Sequence, residues 1–181
     1  MTEAAIKRGR VQMLVIMGIA LVSLGGAYLL FGLVRESGVW NTTNHGTFVE
    51  PATTAADLAV VEATGRPMEG GVWWLWAVPG GACEADCRHA VHQLRALHIL
   101  LNRDAARVRR GFLTGTGEGL PADLAEAYPR LAPLSGNVAA LRPGVYVVDP
   151  IGNLVFHYPW SDAGEPVLDD LKRLLKVSQI G

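Results

Sequence analysis

Cysteine is nearly absent from this chain, with two residues in 181, Cys83 and Cys87. Two cysteines cannot build a disulfide scaffold, so the pair serves local chemistry or local stapling. Clustered basic charge is lacking as well. Beyond residue 35 there are 12 Lys and Arg against 16 Asp and Glu, a net −4. That balance excludes nucleic acid as a partner, because phosphate binding needs grouped cations. No internal repeat and no low-complexity segment is present.

Charge is also missing from one long run. Val11–Val34, "VQMLVIMGIALVSLGGAYLLFGLV", is 24 residues without a charged side chain. A helix of that length runs roughly 36 Å at about 1.5 Å per residue, enough to cross a hydrocarbon core about 30 Å thick. A secretory signal has an apolar stretch of only about 7–15 residues and a small-x-small cleavage site. Here "FGLVRES" follows instead, so 11–34 reads as an uncleaved transmembrane helix. Lys7, Arg8 and Arg10 precede it, and only Arg35 follows closely, beside Glu36. The positive-inside rule leaves 1–10 in the cytoplasm and exports the rest. The expected location is the inner (cytoplasmic) membrane, crossed once, with the C-terminal domain in the periplasm. There, disulfides persist or thiols are deliberately kept reduced.

Residues 35–71 read as a periplasmic tether with little regular structure, carrying one edge strand near Thr47–Glu50. From 72 onward a domain running to 181 is expected. "VWWLWAVP" (72–79) is an aromatic and β-branched run ending at Pro-Gly-Gly, a buried strand. A helix should run from about Cys83 to Asn102, with Ala90, Leu94, Leu97 and Leu101 as its apolar stripe. "ARVRRGFLTG" (106–115) reads as a strand, and "LPADLAEAYPRL" (120–131) as a short helix closed by Pro129. "GVYVVDPIGNLVFHYP" (144–159) is a hairpin turning at Asp149–Gly152. "EPVLDDLKRLLKVS" (165–178) is an amphipathic helix with Pro166 in its first turn. The order β-α-β-α-β-β-α is an α/β, thioredoxin-like one. It puts the cysteines where the first strand enters the first helix, and Pro143 before the third strand. Pro143 is expected in a cis peptide facing the Cys83 turn.

On a helical wheel the two sulfurs share the face of Ala90, Leu94 and Leu101. Residues four apart on a helix have Cα atoms roughly 6 Å apart, inside the range of about 4.4–6.8 Å that a disulfide tolerates. Such a bridge closes a tiny loop and stabilises little, which makes it of the reducible kind. A helix N-terminus favours thiolate at Cys83, opposed by Glu84 and Asp86 and supported by Arg88. His89 and His92 lie opposite the sulfurs, and His98 sits several turns away, so all three read as solvated helix residues. His157 and His45 reach the pair only if the fold brings them. A closed zinc site is therefore not expected, and two thiolates suit Cu(I). Trp73, Trp74 and Trp76 read as core. Arg107, Arg109 and Arg110 read as a solvated strand face.

Two stretches resemble the Sco family of membrane-anchored thioredoxin-fold proteins, which help assemble the copper centre of cytochrome c oxidase. They are "WLWAVPGGACEADC", a strand followed by Cys-x3-Cys, and "VYVVDPIGNLVFHY", a hairpin turning at Asp-Pro-x-Gly. The ending "DDLKRLLKVSQIG" is similar to small single-span proteobacterial proteins that accompany oxidase and haem assembly factors. The resemblance implies that Cys83 and Cys87 bind copper or exchange with partner thiols, the partners being oxidase subunits or other assembly factors. The family's third copper ligand, a histidine, falls on Leu141 here, and its proline after the first cysteine on Glu84. His157 is the candidate for the missing ligand. Three readings stay open. They are an oxidase-assembly accessory acting on Cu(I) or thiols, a general thiol–disulfide oxidoreductase, and a docking module whose cysteines only staple a helix. In the second reading Cys83 attacks, Cys87 resolves, and the loop at Arg142-Pro143 holds the partner strand.

Overall fold

The run Trp73–Val78 is aromatic and aliphatic throughout, and every one of its side chains is buried. Such a strand has to sit in the middle of a sheet covered on both faces. The computed structural model of the chain, which describes residues 3–36 and 43–178, places it there. In chain order the strands are β1 (Thr47–Phe48), β2 (Val61–Glu62), β3 (Trp73–Val78), β4 (Val108–Thr114), β5 (Leu131–Ser135), β6 (Gly144–Val148) and β7 (Leu154–Tyr158). The helices are α1 (Glu3–Glu36), α2 (Ala85–Leu100), α3 (Ala122–Ala127) and α4 (Glu165–Val177). Short 3₁₀ turns lie at Asn102–Arg107 and Trp160–Asp162.

The sheet has seven strands in the order β1-β7-β6-β3-β4-β5-β2. β4 runs parallel to β3 and to β5, while β6 and β7 run antiparallel. Side-chain alternation divides the core in two. Leu75, Ala77, Val145, Val147, Phe156 and Tyr158 face α2 and α4. Trp74, Trp76, Tyr146 and Val148 face the other way and are covered by Ala55, Leu58 and Val60. Gly111 makes room for this second layer, because a Cβ there would lie 2.5 Å from Leu134 and 3.1 Å from Trp76. The thioredoxin-like α/β class is therefore as expected, with β3, β4, β6, β7, α2 and α4 close to their expected spans.

The expected tether is different. Residues 44–181 form one compact unit, and 44–71 belong to it by supplying both edge strands and the cover of the second face. The domain thus begins near 44 rather than 72. Residues 1–2, 37–42 and 179–181 of the expected N-terminus, tether and domain lie outside the described residues. The first unit holds α1, of which Gly9–Leu33 is long and apolar enough to cross a membrane.

Candidate functional site

β3 ends at Val78, the turn Gly80–Ala82 is exposed, and Cys83 follows. Glu84 is the N-cap of α2 with extended backbone (φ −81°, ψ −168°), so the helix starts at Ala85, two residues later than expected. Cys83 therefore stands just ahead of the helix and Cys87 in its first turn. The two are joined in a disulfide with a Cα–Cα separation of 5.3 Å. Both are buried, Cys83 at 8% exposure and Cys87 at 4%, against Ala77, Ala90 and the rest of the helical-face core. The turn before Cys83 and residues 84–86 between the two cysteines are exposed.

The first turn of α2 carries no side-chain cap. Its free N–H groups and the positive end of the helix dipole therefore face the sulfurs' end of the helix. Asp86 lies in the same turn and opposes that field. Arg88, expected to support a thiolate, instead pairs with Asp123.

Pro143 corrects the expectation. Among the described residues the only cis peptide is Glu50–Pro51, so Arg142–Pro143 is trans. The proline nevertheless borders the site, because a Cβ on Gly80 would lie 2.5 Å from Pro143 Cγ. Glycine at 80 is what lets the turn lie on the proline ring. The carbonyls of the loop are engaged from the other side. Tyr146 donates its hydroxyl to Arg142 O at 2.9 Å, and His157 Nε2 donates to Pro143 O at 3.1 Å.

That second bond also fixes where His157 goes. It pairs with Tyr146 and Thr47 in the sheet, and its ring lies tilted against that of Tyr146 with centroids 4.8 Å apart. Phe156 and Tyr158, its neighbours in β7, belong to the cysteines' face, and strand alternation turns His157 to the opposite one. No three of His, Cys, Asp and Glu come together to hold a metal among the described residues. His157 is thus not brought to Cys83 and Cys87. Leu141 packs on the second face as well.

His89 and His92 are exposed, touching Gln93 and Tyr128. His98 is half-buried and bridges the carbonyls of Ala105 and Val108 at 2.9 and 3.1 Å, so it locks the turn after α2. Asn102, in the left-handed region at φ +51°, ends that helix early. The three tryptophans are core, as expected. The three arginines are not one solvated face. Arg107 donates to Leu175 O and Ser178 O at the end of α4, and Arg109 pairs with Glu69. Arg110 is buried. Its flanks at i±2, Val108 and Phe112, were the signal that it shares their inward face.

The family model described as transmembrane-like, thioredoxin-like, C-terminal domain matches residues 73–178. No curated protein matches the chain. Among solved structures, the thioredoxin domain of a thiol-disulfide oxidoreductase from Bacteroides vulgatus is 12% identical with a TM-score of 0.45, over 74% of this chain and 99% of that one. BsSco, a member of the Sco family of cytochrome c oxidase assembly proteins, is 16% identical with a TM-score of 0.45, over 76% of this chain and 98% of its own.

Proposed function

The chain belongs to the family of transmembrane-like, thioredoxin-like C-terminal domains, and from that premise we propose that it is a membrane-anchored thiol–disulfide oxidoreductase acting through Cys83 and Cys87 on the periplasmic side. The observation that carries the reading is the disulfide at the β3–α2 junction, with its two sulfurs at an uncapped helix N-terminus. A partner thiolate attacks Sγ of Cys83, the sulfur ahead of the helix, and the S–S bond breaks with its electron pair on Cys87. The first turn of α2 stabilises that leaving thiolate. A second partner thiolate then attacks the partner sulfur of the mixed disulfide and releases Cys83. The partner loses two electrons and two protons, and the pair gains them. Run backwards, the same steps reduce a partner disulfide.

The Sco-like motifs extend the proposal to a narrower one, in which the partner thiols belong to a cytochrome c oxidase subunit or assembly factor and the reduced pair carries Cu(I). Two thiolates without an imidazole suit Cu(I) in low coordination and Cu(II) poorly. The test uses the full-length chain. Cys87→Ser leaves Cys83 able to attack but unable to be released, so it should accumulate a mixed disulfide with an exported partner. Cys83→Ser should accumulate much less. Equal trapping by both variants, or none by either, would contradict the exchange reading. Cu(I) bound by the reduced chain against a competing chelator, and lost on either substitution but kept in His157→Ala, would support the narrower one.

A further inference from the structure

Arg110 lies on β4, in the middle of the sheet, and points to the helical face at 6% exposure. Its Nε and Nη1 are buried without a hydrogen-bond partner. A guanidinium presents five N–H donors, and leaving donors of a charged group unpaired in the interior is costly. The side chain opens onto a pocket of about 320 Å³ between α2 and the turn after α3, which Arg95, His98, Tyr128 and Arg130 also line. No carboxylate is among the lining residues, and none of Arg95, Arg110 and Arg130 forms an ion pair among the described residues. Burial first, then the positive fields of Arg95 and Arg130, hold the Arg110 pKa below the ordinary guanidinium value. Three cations thus converge on one concavity that offers them no anion. The pocket is remote from the disulfide, since Arg95 and His98 lie about 12 and 16 Å beyond Cys87 along the axis of α2.

We propose that this pocket binds a phosphate-type oxyanion, free or as a phosphomonoester, with Arg110 as the buried anchor and Arg95 and Arg130 at the mouth. Guanidinium forks match the oxygens of phosphate with paired, charge-assisted hydrogen bonds. A dianion balances three cations better than a single carboxylate does, and a tetrahedral group can offer separate oxygens to separate forks. The volume sits at the small end of ligand pockets, which run about 300–1,000 Å³, so any group attached to the phosphate is small.

The experiment titrates the full-length chain, in phosphatidylcholine nanodiscs, with inorganic phosphate at constant ionic strength. Binding is read by calorimetry and by Tm. Saturable binding and a Tm that rises with ligand are expected, with acetate giving neither. Arg110→Met should weaken phosphate binding at least about tenfold. The same substitution should raise the phosphate-free Tm, because an unpaired buried charge is gone. Arg130→Ala, at an exposed position, should weaken binding severalfold without moving the phosphate-free Tm, which separates binding from folding. Competition then identifies the source. Arg110-dependent displacement by glycerol 3-phosphate places the ligand in solution, and displacement by phosphatidic acid in the disc places it in the membrane. Displacement by neither leaves free phosphate. A phosphate isotherm that never saturates, or saturates alike in the native chain, Arg110→Met and Arg130→Ala, overturns the proposal.

Discussion

Asp170 is a carboxylate at 2% exposure on α4, and its surroundings show what ties residues 44–46 to the domain. Its Oδ2 accepts from His45 N at 2.7 Å, Gly46 N at 2.9 Å and the Tyr158 hydroxyl at 2.9 Å, and its Oδ1 from His45 Nδ1 at 3.3 Å. Burial alone would raise its pKa, but the donors from Gly46, Tyr158 and His45 together outweigh that and hold it below 3.8. Burial and the bond to Asp170 push the Tyr158 phenol up, so it stays a neutral donor. A carboxylate with a lowered folded-state pKa contributes stability above its unfolded pKa and loses it as pH falls through the folded one. The Tm should therefore drop as pH goes below 3.8, and Asp170→Asn should flatten that part of the profile. At pH 7, Asp170→Ala should cost about 3–5 kcal/mol in denaturant unfolding, because the buried Gly46 N–H and Tyr158 hydroxyl and both donors of His45 lose their acceptor. None of this was legible in "VLDDLKRLL". Asp169 and Asp170 look alike there, and the partner His45 is 125 residues away.

Among elements, the legible ones are those whose pattern is local. β3, β4, β6 and β7 announce themselves by β-branched and aromatic runs, and α2 and α4 by apolar residues at helical spacing. β5 does not, because "LAPLS" contains Pro133, which argues against a strand in a short sequence window. β1 falls within the edge strand expected near Thr47–Glu50, whereas β2, two residues long, exists through its neighbour β5. The cysteine pair was legible because residues four apart at a strand-to-helix junction are a local feature. Sequence offers His157 as the candidate third ligand, although alternation in "LVFHY" sends it away from the face of Phe156 and Tyr158. What sequence could not give was the trans Pro143, whereas the burial of Arg110 was signalled by Val108 and Phe112 on either side of it, against the pull of its charge. The start of β6 at Gly144 was legible, but the backbone conformation it needs was not. Gly144 opens β6 at φ +148°, and a Cβ there would lie 2.6 Å from His157 Nε2 and also meet the carbonyl of Tyr158. Gly144→Ala combines backbone strain with a clash against main chain. It should cost at least about 2 kcal/mol and lower Tm by roughly 5–10 °C.

In the whole molecule, one apolar helix near the N-terminus precedes a thioredoxin-like domain that begins near 44. The basic residues before the span set the proposed orientation. A reporter active only outside the cytoplasm should be active when fused after Gly181 and silent when fused before residue 10, and cleavage near Arg35 during export would contradict the anchor. The central claim is that Cys83 and Cys87 exchange electrons rather than staple a helix, and their equilibrium with a redox buffer tests it most directly. The full-length chain in detergent is equilibrated in thiol buffers of stepped potential and its free thiols are counted. A single two-electron transition is expected, with a midpoint above about −300 mV, in the range of exchanging pairs. A pair still fully oxidised in buffers well below about −300 mV, where structural disulfides persist, would contradict it.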